Sequence, residues 1–173
     1  MTQVRGKVAA ITGAGSGIGR GLALELAAKG CQLALSDIDD AGIAETVALV
    51  EKSVGRRGSV KVSSTHVDVT DREVVEAWAS ATVEEFGRVN LIFNNAGVAL
   101  AAKVSAMSYD SFRWLMDINF WGVVHGTMAF LPHLKTSGDG HVVNISSVFG
   151  LLGIPSQSAY NSAKFAVRGL TES

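Results

Sequence analysis

Tyr160 and Lys164, four residues apart, are the sharpest chemical pairing in the chain. On a helix this spacing puts a phenol and an ammonium on one face, about one turn apart. A phenol ordinarily titrates near pH 10. Bringing one to neutrality takes ~3 pKa units, or ~4 kcal/mol, which a neighbouring cation and hydrogen bonds can supply together. Such a phenol would exchange protons near neutral pH. An exposed Tyr–Lys pair on a surface helix has the same spacing, so its meaning depends on company. Ser147 lies 13 residues upstream, at the expected end of a strand.

A second constellation lies at the other end of the chain, in Thr12-Gly13-Ala14-Gly15-Ser16-Gly17-Ile18-Gly19. Gly13, Gly17 and Gly19 let the backbone take positive φ, approach a diphosphate and bring a helix tight against its strand. The N–H groups and positive dipole end of that helix would then meet the anion, with Ser16 and Ile18 beside it. The spacing G-x-x-x-G-x-G differs from the common dinucleotide fingerprint G-x-G-x-x-G, and a tight turn without a ligand has the same composition. Asp37 follows 20 residues after Gly17, where a carboxylate would take the hydroxyls of an adenosine ribose and repel a 2′-phosphate. No Arg or Lys stands in the glycine turn before Gly19 or directly after Asp37, so the residues favour NAD over NADP. A helix cap is the plain alternative for Asp37, and equally for Asp68 beside Val69, which fits a contact to an adenine edge.

These groups need a scaffold, and the hydropathy pattern supplies one. Apolar runs at residues 8–11, 32–36, 59–67, 89–93 and 141–145 read as strands. Helices are expected over 18–29, from Asp39 or Asp40 through Glu51, and after a capping box at Thr70-Asp71-Arg72-Glu73, with Gly87 as its C-terminal stop. A long helix capped by Ser108 or Asp110 is expected to stop at Pro132 and the Ser137–Gly140 turn. A last helix begins near Gln157. The stretch to Met107 reads as loop, as does the stretch to Pro155. Repeated β-α units force parallel strands and right-handed crossovers, hence a doubly wound α/β sheet over 1–173 whose ligands bind beyond the strands' carboxyl ends. The polar motifs cluster there.

With T-G-x-x-x-G-x-G at Thr12–Gly19, Asp68, Asn94-Asn95-Ala96-Gly97, Asn119 in the long helix, Ser147, and Tyr160 with Lys164 in order, the chain resembles the short-chain dehydrogenase/reductase family. The resemblance implies a Rossmann-like fold and hydride transfer between NAD and a small alcohol or ketone. It makes Tyr160 the general acid/base and has Lys164 hold the nicotinamide ribose. Ser147, rather than its neighbour Ser146, would bind the substrate oxygen, and Asn119 would keep a relay water. Gly13, Ser16, Gly17, Ile18, Gly19, Asp37, Asp68, Val69, Asn95, Ala96 and Gly97 would contact the cofactor. Asn119, Asn94 and Asn95 also have a plainer use, satisfying backbone at a bend and a turn. Trp114, Phe120 and Trp121 form an expected aromatic cluster on the long helix, where the family commonly builds a dimer or tetramer interface. Relative to the family the chain is C-terminally truncated. It lacks the last strands and substrate lobe, so a dinucleotide-binding fragment without turnover is one alternative and an NADP-dependent ketoacyl-type reductase another.

Composition narrows the classes further. Hydrophobic residues make up 47% of 173 residues and the net charge is −1. One folded domain is expected, with no electrostatic footprint for nucleic acid or an anionic membrane. Arg56-Arg57 reads as a solvated turn between Gly55 and Gly58. No apolar run is long enough for a signal peptide or a membrane span. Cys31 has no disulfide partner and reads as an inert core-edge thiol, so a cytoplasmic protein is expected. The Asn144-Ile145-Ser146 sequon reads as accidental. Scattered histidines predict no metal, and Met107, Met116 and Met128 read as packing residues.

Overall fold

Strand residues alternate between two cores. In the computed structural model, which describes residues 3–54 and 60–173, the strands are β1 (Val8–Thr12), β2 (Gln32–Asp37), β3 (Val62–His66), β4 (Leu91–Asn94) and β5 (His141–Asn144). They form one parallel sheet in the order β3-β2-β1-β4-β5. Ala9, Ile11, Leu33, Leu35, Leu91 and Phe93 point to one face, where α1 (Gly17–Ala28) and α2 (Asp40–Val54) cover them. Ala10, Ala34 and Ile92 point to the other, under α3 (Arg72–Phe86) and α5 (Gly122–Ser137), whose Trp78 and Phe130 meet edge to face at 5.0 Å. With both faces covered, β1, β2 and β4 are almost wholly buried, as their uninterrupted apolar runs require. The order reverses between β1 and β4, which opens a crevice at their carboxyl ends.

Several local expectations are corrected. The cap of α3 is Asp71, whose Oδ1 accepts from the N–H of Glu73 and of Val74. Thr70 is drawn back to Asp68, donating its N–H and hydroxyl to Oδ1 at 2.9 and 2.8 Å. A carboxylate at the positive helix end also serves the dipole better than a hydroxyl. Asp39 rather than Asp40 caps α2, accepting from Ala41 and Gly42. Pro132 lies inside α5, which runs on to Ser137 and ends at Gly138 in the left-handed region, φ 70°. Both Pro132 and Met128, whose carbonyl loses its helical donor, are on the exposed side, where water can replace the missing bond. Met128 is thus exposed and does not pack, while Met107 and Met116 do. The Gly55–Gly58 turn, Arg56, Arg57 and Ser59 lie outside the described residues.

The long fourth helix is not continuous. α4 (Tyr109–Met116), capped by Ser108, passes into a five-residue π segment at Asp117–Trp121 before α5 begins. Its aromatic residues divide: Phe120 and Trp121 touch at 5.5 Å, whereas Trp114 lines the crevice instead. Residues 98–107 contain a 3-10 turn at Val104–Ala106, and Ala102 bridges to Gln157 at the start of α6 (Ser158–Glu172).

Where α5 crosses β4, the contact is polar and tight. Asn94 donates through Nδ2 to Thr127 Oγ1 and to Asn144 Oδ1 at 2.8 Å, and Asn144 passes the chain on to Thr171 of α6. Asn94 Oδ1 is buried without a hydrogen-bond partner and faces Gly126, where a Cβ would lie 2.0 Å from it. Neither the carboxamide nor the helix can yield without breaking the other bonds. Gly126→Ala should therefore destabilise the protein by about 3 kcal/mol or more, lowering Tm by roughly 6–12 °C in a thermal melt followed by circular dichroism. Gly169→Ala, an exposed α6 site with nothing within 4 Å of a Cβ, should raise Tm slightly in the same assay.

Candidate functional site

The crevice is a cavity of about 650 Å³. Its floor is sewn together by side chains of the two diverging strands. Thr12 Oγ1, buried, accepts from the N–H of Asn95 and of Ala96, each at 3.0 Å, and Asn95 Nδ2 donates to the Thr12 and Gly13 carbonyls. Gly13 has φ +64°, and a Cβ there would lie 2.8 Å from Ala96 Cα. At Gly19 the reason is contact rather than torsion, since a Cβ would lie 2.0 Å from the Gly13 carbonyl oxygen. Helix α1 is thereby pressed against the turn, with its first N–H groups, which have no intrahelical partner, opening onto the cavity beside Ser16, Gly17 and Ile18. Ser16 stands at the N-cap without a side-chain capping bond.

At one end of the cavity stands Asp37. Oδ2 accepts from the Gly15 N–H at 2.7 Å and Oδ1 from the Asp39 N–H at 3.0 Å, which sets the plane of the carboxylate and leaves lone pairs on both oxygens for a ligand. Asp68 is exposed on the wall next to buried Val69, its Oδ1 engaged by Thr70. Asn119 sits in the π segment, fully buried, with Oδ1 accepting from Val98 N–H and Nδ2 donating to Val98 C=O, both at 2.8 Å. It pins the strand β4 loop, the plainer of its two expected uses.

Tyr160 and Lys164 stand at the opposite end on α6. Tyr160 packs edge to face against Phe149, and Lys164 Nζ lies 5.7 Å from the Tyr160 ring centroid. Lys164 is 4% exposed, and its ammonium donates to the Ile145 carbonyl at 2.7 Å. Burial pushes its pKa below the ordinary lysine value. Ser147 caps the 3-10 helix at Val148–Gly150 and accepts from Phe149 N–H at 3.2 Å; the cavity surface here is formed by Ile145 and Ser146. All the expected site residues line the cavity except Ser147 and Gly19, the latter lying behind the turn. Cys31 lies far from it, its thiol pushed up to about 12 by burial and unreactive.

Two residues of the site were missed by sequence reasoning. Thr12 was legible as a residue next to Gly13, yet its two partners are more than 80 residues away. Asn161, beside Tyr160, spends both amide hydrogens and Oδ1 on the backbone of Phe149, Leu152 and Ile154, so it holds the loop after Ser147 to α6. Among the described residues no helix is long and apolar enough to cross a membrane.

A family model described as short chain dehydrogenase matches residues 7–173. SadH of Mycobacterium tuberculosis, named as an oxidoreductase, is 54% identical over 172 residues, covering 99% of this chain and 60% of its own length. Levodione reductase of Leifsonia aquatica is 39% identical, covering 98% and 63%. A short chain dehydrogenase/reductase of Burkholderia phymatum, solved in complex with NAD, superposes with a TM-score of 0.93 at 40% identity, covering 99% and 60%. The chain thus spans about three fifths of the length of these proteins.

The buried ammonium carries a stability signature. Because its folded pKa is depressed, the unfolded chain binds more protons in the window just below the ordinary lysine value, and stability rises with pH there. Lys164→Met removes a desolvated charge, so its Tm at pH 7 should match or exceed that of the wild type, and the difference should shrink as pH is raised towards about 10. Thermal melts of both proteins across that range check the sign.

Proposed function

The chain belongs to the short-chain dehydrogenase family, and on that premise we propose that it is the cofactor-binding and proton-transferring part of an oxidoreductase that interconverts a secondary alcohol and its ketone with NAD(H). One observation carries the reading. A single cavity runs from the Asp37 carboxylate, past the N-terminus of α1, to the Tyr160–Lys164 pair. That order of groups suits a molecule with a diol at one end, a diphosphate in the middle and a ribosyl cation at the other. The NAD held by the Burkholderia neighbour supports the choice of cofactor.

In this reading Asp37 accepts from the adenosine ribose hydroxyls, Asp68 and Val69 flank the adenine, and Asn95, Ala96 and Gly97 form the wall under it. The N–H groups at Gly17 and Ile18, with Ser16, meet the diphosphate. Lys164 spends one of three hydrogens on Ile145 and keeps two for the nicotinamide ribose. Bound NAD supplies the hydride acceptor in one direction and NADH the donor in the other. Tyr160 Oη takes the alcohol proton as the carbonyl forms, or returns it to the carbonyl oxygen on reduction. The Lys164 ammonium beside the ring stabilises the phenolate that alternates with phenol. Ser147 Oγ uses a lone pair for Phe149 N–H, which leaves its proton to donate to the substrate oxygen. Asn119 fixes the wall at Val98 and keeps one Nδ2 hydrogen for a relay water.

Assembly and location belong to the same proposal. Trp121, Met128 and Leu131 expose apolar surface along the fourth helix, which supports a homo-oligomer. A lone buried thiol suits a reducing cytoplasm.

Calorimetric titration of the chain with NAD and NADP tests the cofactor half. NAD should bind more tightly, and Asp37→Asn should weaken NAD by about tenfold while narrowing the preference. An unchanged preference would remove Asp37 from cofactor choice. In a protein that turns over a secondary alcohol, Tyr160→Phe should lower kcat by about 10²- to 10⁴-fold and move the NAD Kd by less than about threefold. Full activity in that variant would overturn the mechanism.

A further inference from the structure

Arg20 follows the glycine turn on α1, and its side chain reaches backwards around the turn to α2. Nε donates to Thr46 Oγ1 at 3.0 Å. Nη2 donates to the Gly15 carbonyl, reaches the Gly42 carbonyl at 3.3 Å, and pairs with Glu45 Oε2 at 2.7 Å. Thr46 is fully buried, and its hydroxyl lies 2.9 Å from the Ala14 carbonyl and 3.0 Å from that of Gly42, so its one proton serves one of them. The Gly15–Ser16 peptide is therefore held directly by the guanidinium, and the Ala14 carbonyl of the preceding peptide faces the Thr46 hydroxyl that Arg20 Nε engages.

The Gly15 N–H belongs to the Ala14–Gly15 peptide, the one that faces Thr46, and it is the donor that holds Asp37 Oδ2. In a turn of four alternating glycines, torsional preference alone does little to fix which way such a peptide points. We infer that Arg20 is a positioning residue for the cofactor: it holds Gly15 between the guanidinium on its carbonyl and Thr46 at the Ala14 carbonyl, so that the Gly15 N–H orients the Asp37 carboxylate towards the adenosine ribose. The geometry around it agrees. A Cβ on Gly15 would lie 2.8 Å from Asp37 Oδ2 and one on Gly42 would lie 3.0 Å from the Gly15 oxygen, so turn, carboxylate and α2 are closely packed. Glu45 neutralises the guanidinium on the far side, so Arg20 braces the loop without presenting an uncompensated cation at the ribose end. A carboxylate already oriented before the ribose arrives loses less freedom on binding. This assignment rests on the proposed use of Asp37 for the ribose.

The test is a double-mutant cycle in ligand binding, with ADP-ribose as the probe and the 173-residue chain as the protein. Arg20→Gln should raise the Kd for ADP-ribose about tenfold, corresponding to about 1.4 kcal/mol, with Arg20→Lys restoring part of the loss. In an Asp37→Asn background the same substitution should cost less than about twofold, because the group it positions is gone. Equal losses in both backgrounds would overturn the inference and make Arg20 a staple between α1 and α2. Should Arg20→Gln fail to fold, Thr46→Val, which keeps the Glu45 pair and cuts the link to Ala14, is expected to show the same dependence on Asp37 at about threefold. Its absence would overturn the inference equally. No ADP-ribose binding by the wild type would overturn the proposed function, and with it the role of Arg20; wild-type binding with no Asp37-dependent loss would overturn only the latter.

Discussion

The crevice exists because β1 and β4, neighbours in the sheet, send their chains to opposite faces, and two side chains hold the backbone together where they part. Beyond the last ladder pair the N–H and C=O groups of both strands lose their partners, and leaving them buried and unpaired would cost about 1–3 kcal/mol each. Thr12 and Asn95 replace the missing ladder, each serving the other strand's backbone. Everything at the site is placed relative to this seam. Gly13 and Gly19 are glycines because the turn is drawn so tightly to it, the α1 N-terminus is aimed by Gly19, and the loop pinned by Asn119 begins on its other side.

Charge along the cavity is arranged in sequence, from a carboxylate, through the positive pole of a helix, to an ammonium with no acid paired to it among the described residues. In the absence of a ligand this is an unfavourable distribution, since burial works against the Lys164 charge and a single carbonyl compensates it. The Lys164 charge therefore weighs against stability rather than for it. The supporting shell is stiff by comparison. Asn161 and Asn119 spend their carboxamides on backbone and Arg20 ties the glycine turn to α2, so the loops that line the cavity are fastened by side chains.

What could be read from the sequence was what depends on neighbours in the chain. The parallel, doubly wound sheet and its ligand edge followed from β-α alternation, and Asp37 and the Tyr160–Lys164 pair followed from spacing along the chain. What escaped was set by competition or by distance. Thr70 looked like a cap until Asp68 took it and Asp71 offered a better charge. Pro132 looked like a stop because solvent on its side of the helix leaves no trace in the sequence. Thr12 opened the glycine motif and Arg20 followed it without a legible task, since their partners at Asn95 and Thr46 are brought near only by the fold. Ser147 occupied the expected position but with its oxygen turned to a local cap.

The π segment at Asp117–Trp121, closed by Gly122 N–H on the Asp117 carbonyl, amounts to one residue more than an α-helix would hold. Each residue of an α-helix advances its faces by about 100°, so the extra one sets the phase of α5 against that of α4. With it, Leu115 faces the small cluster around α6 while Gly126, Phe130 and Leu134 face the sheet. A single-residue deletion here would leave a smoother helix whose second half is rotated by more than a quarter turn, swinging Phe130 out of the core and a bulkier neighbour onto Asn94. The irregularity is thus a gearing between two cores, and it constrains the length of this helix to the residue.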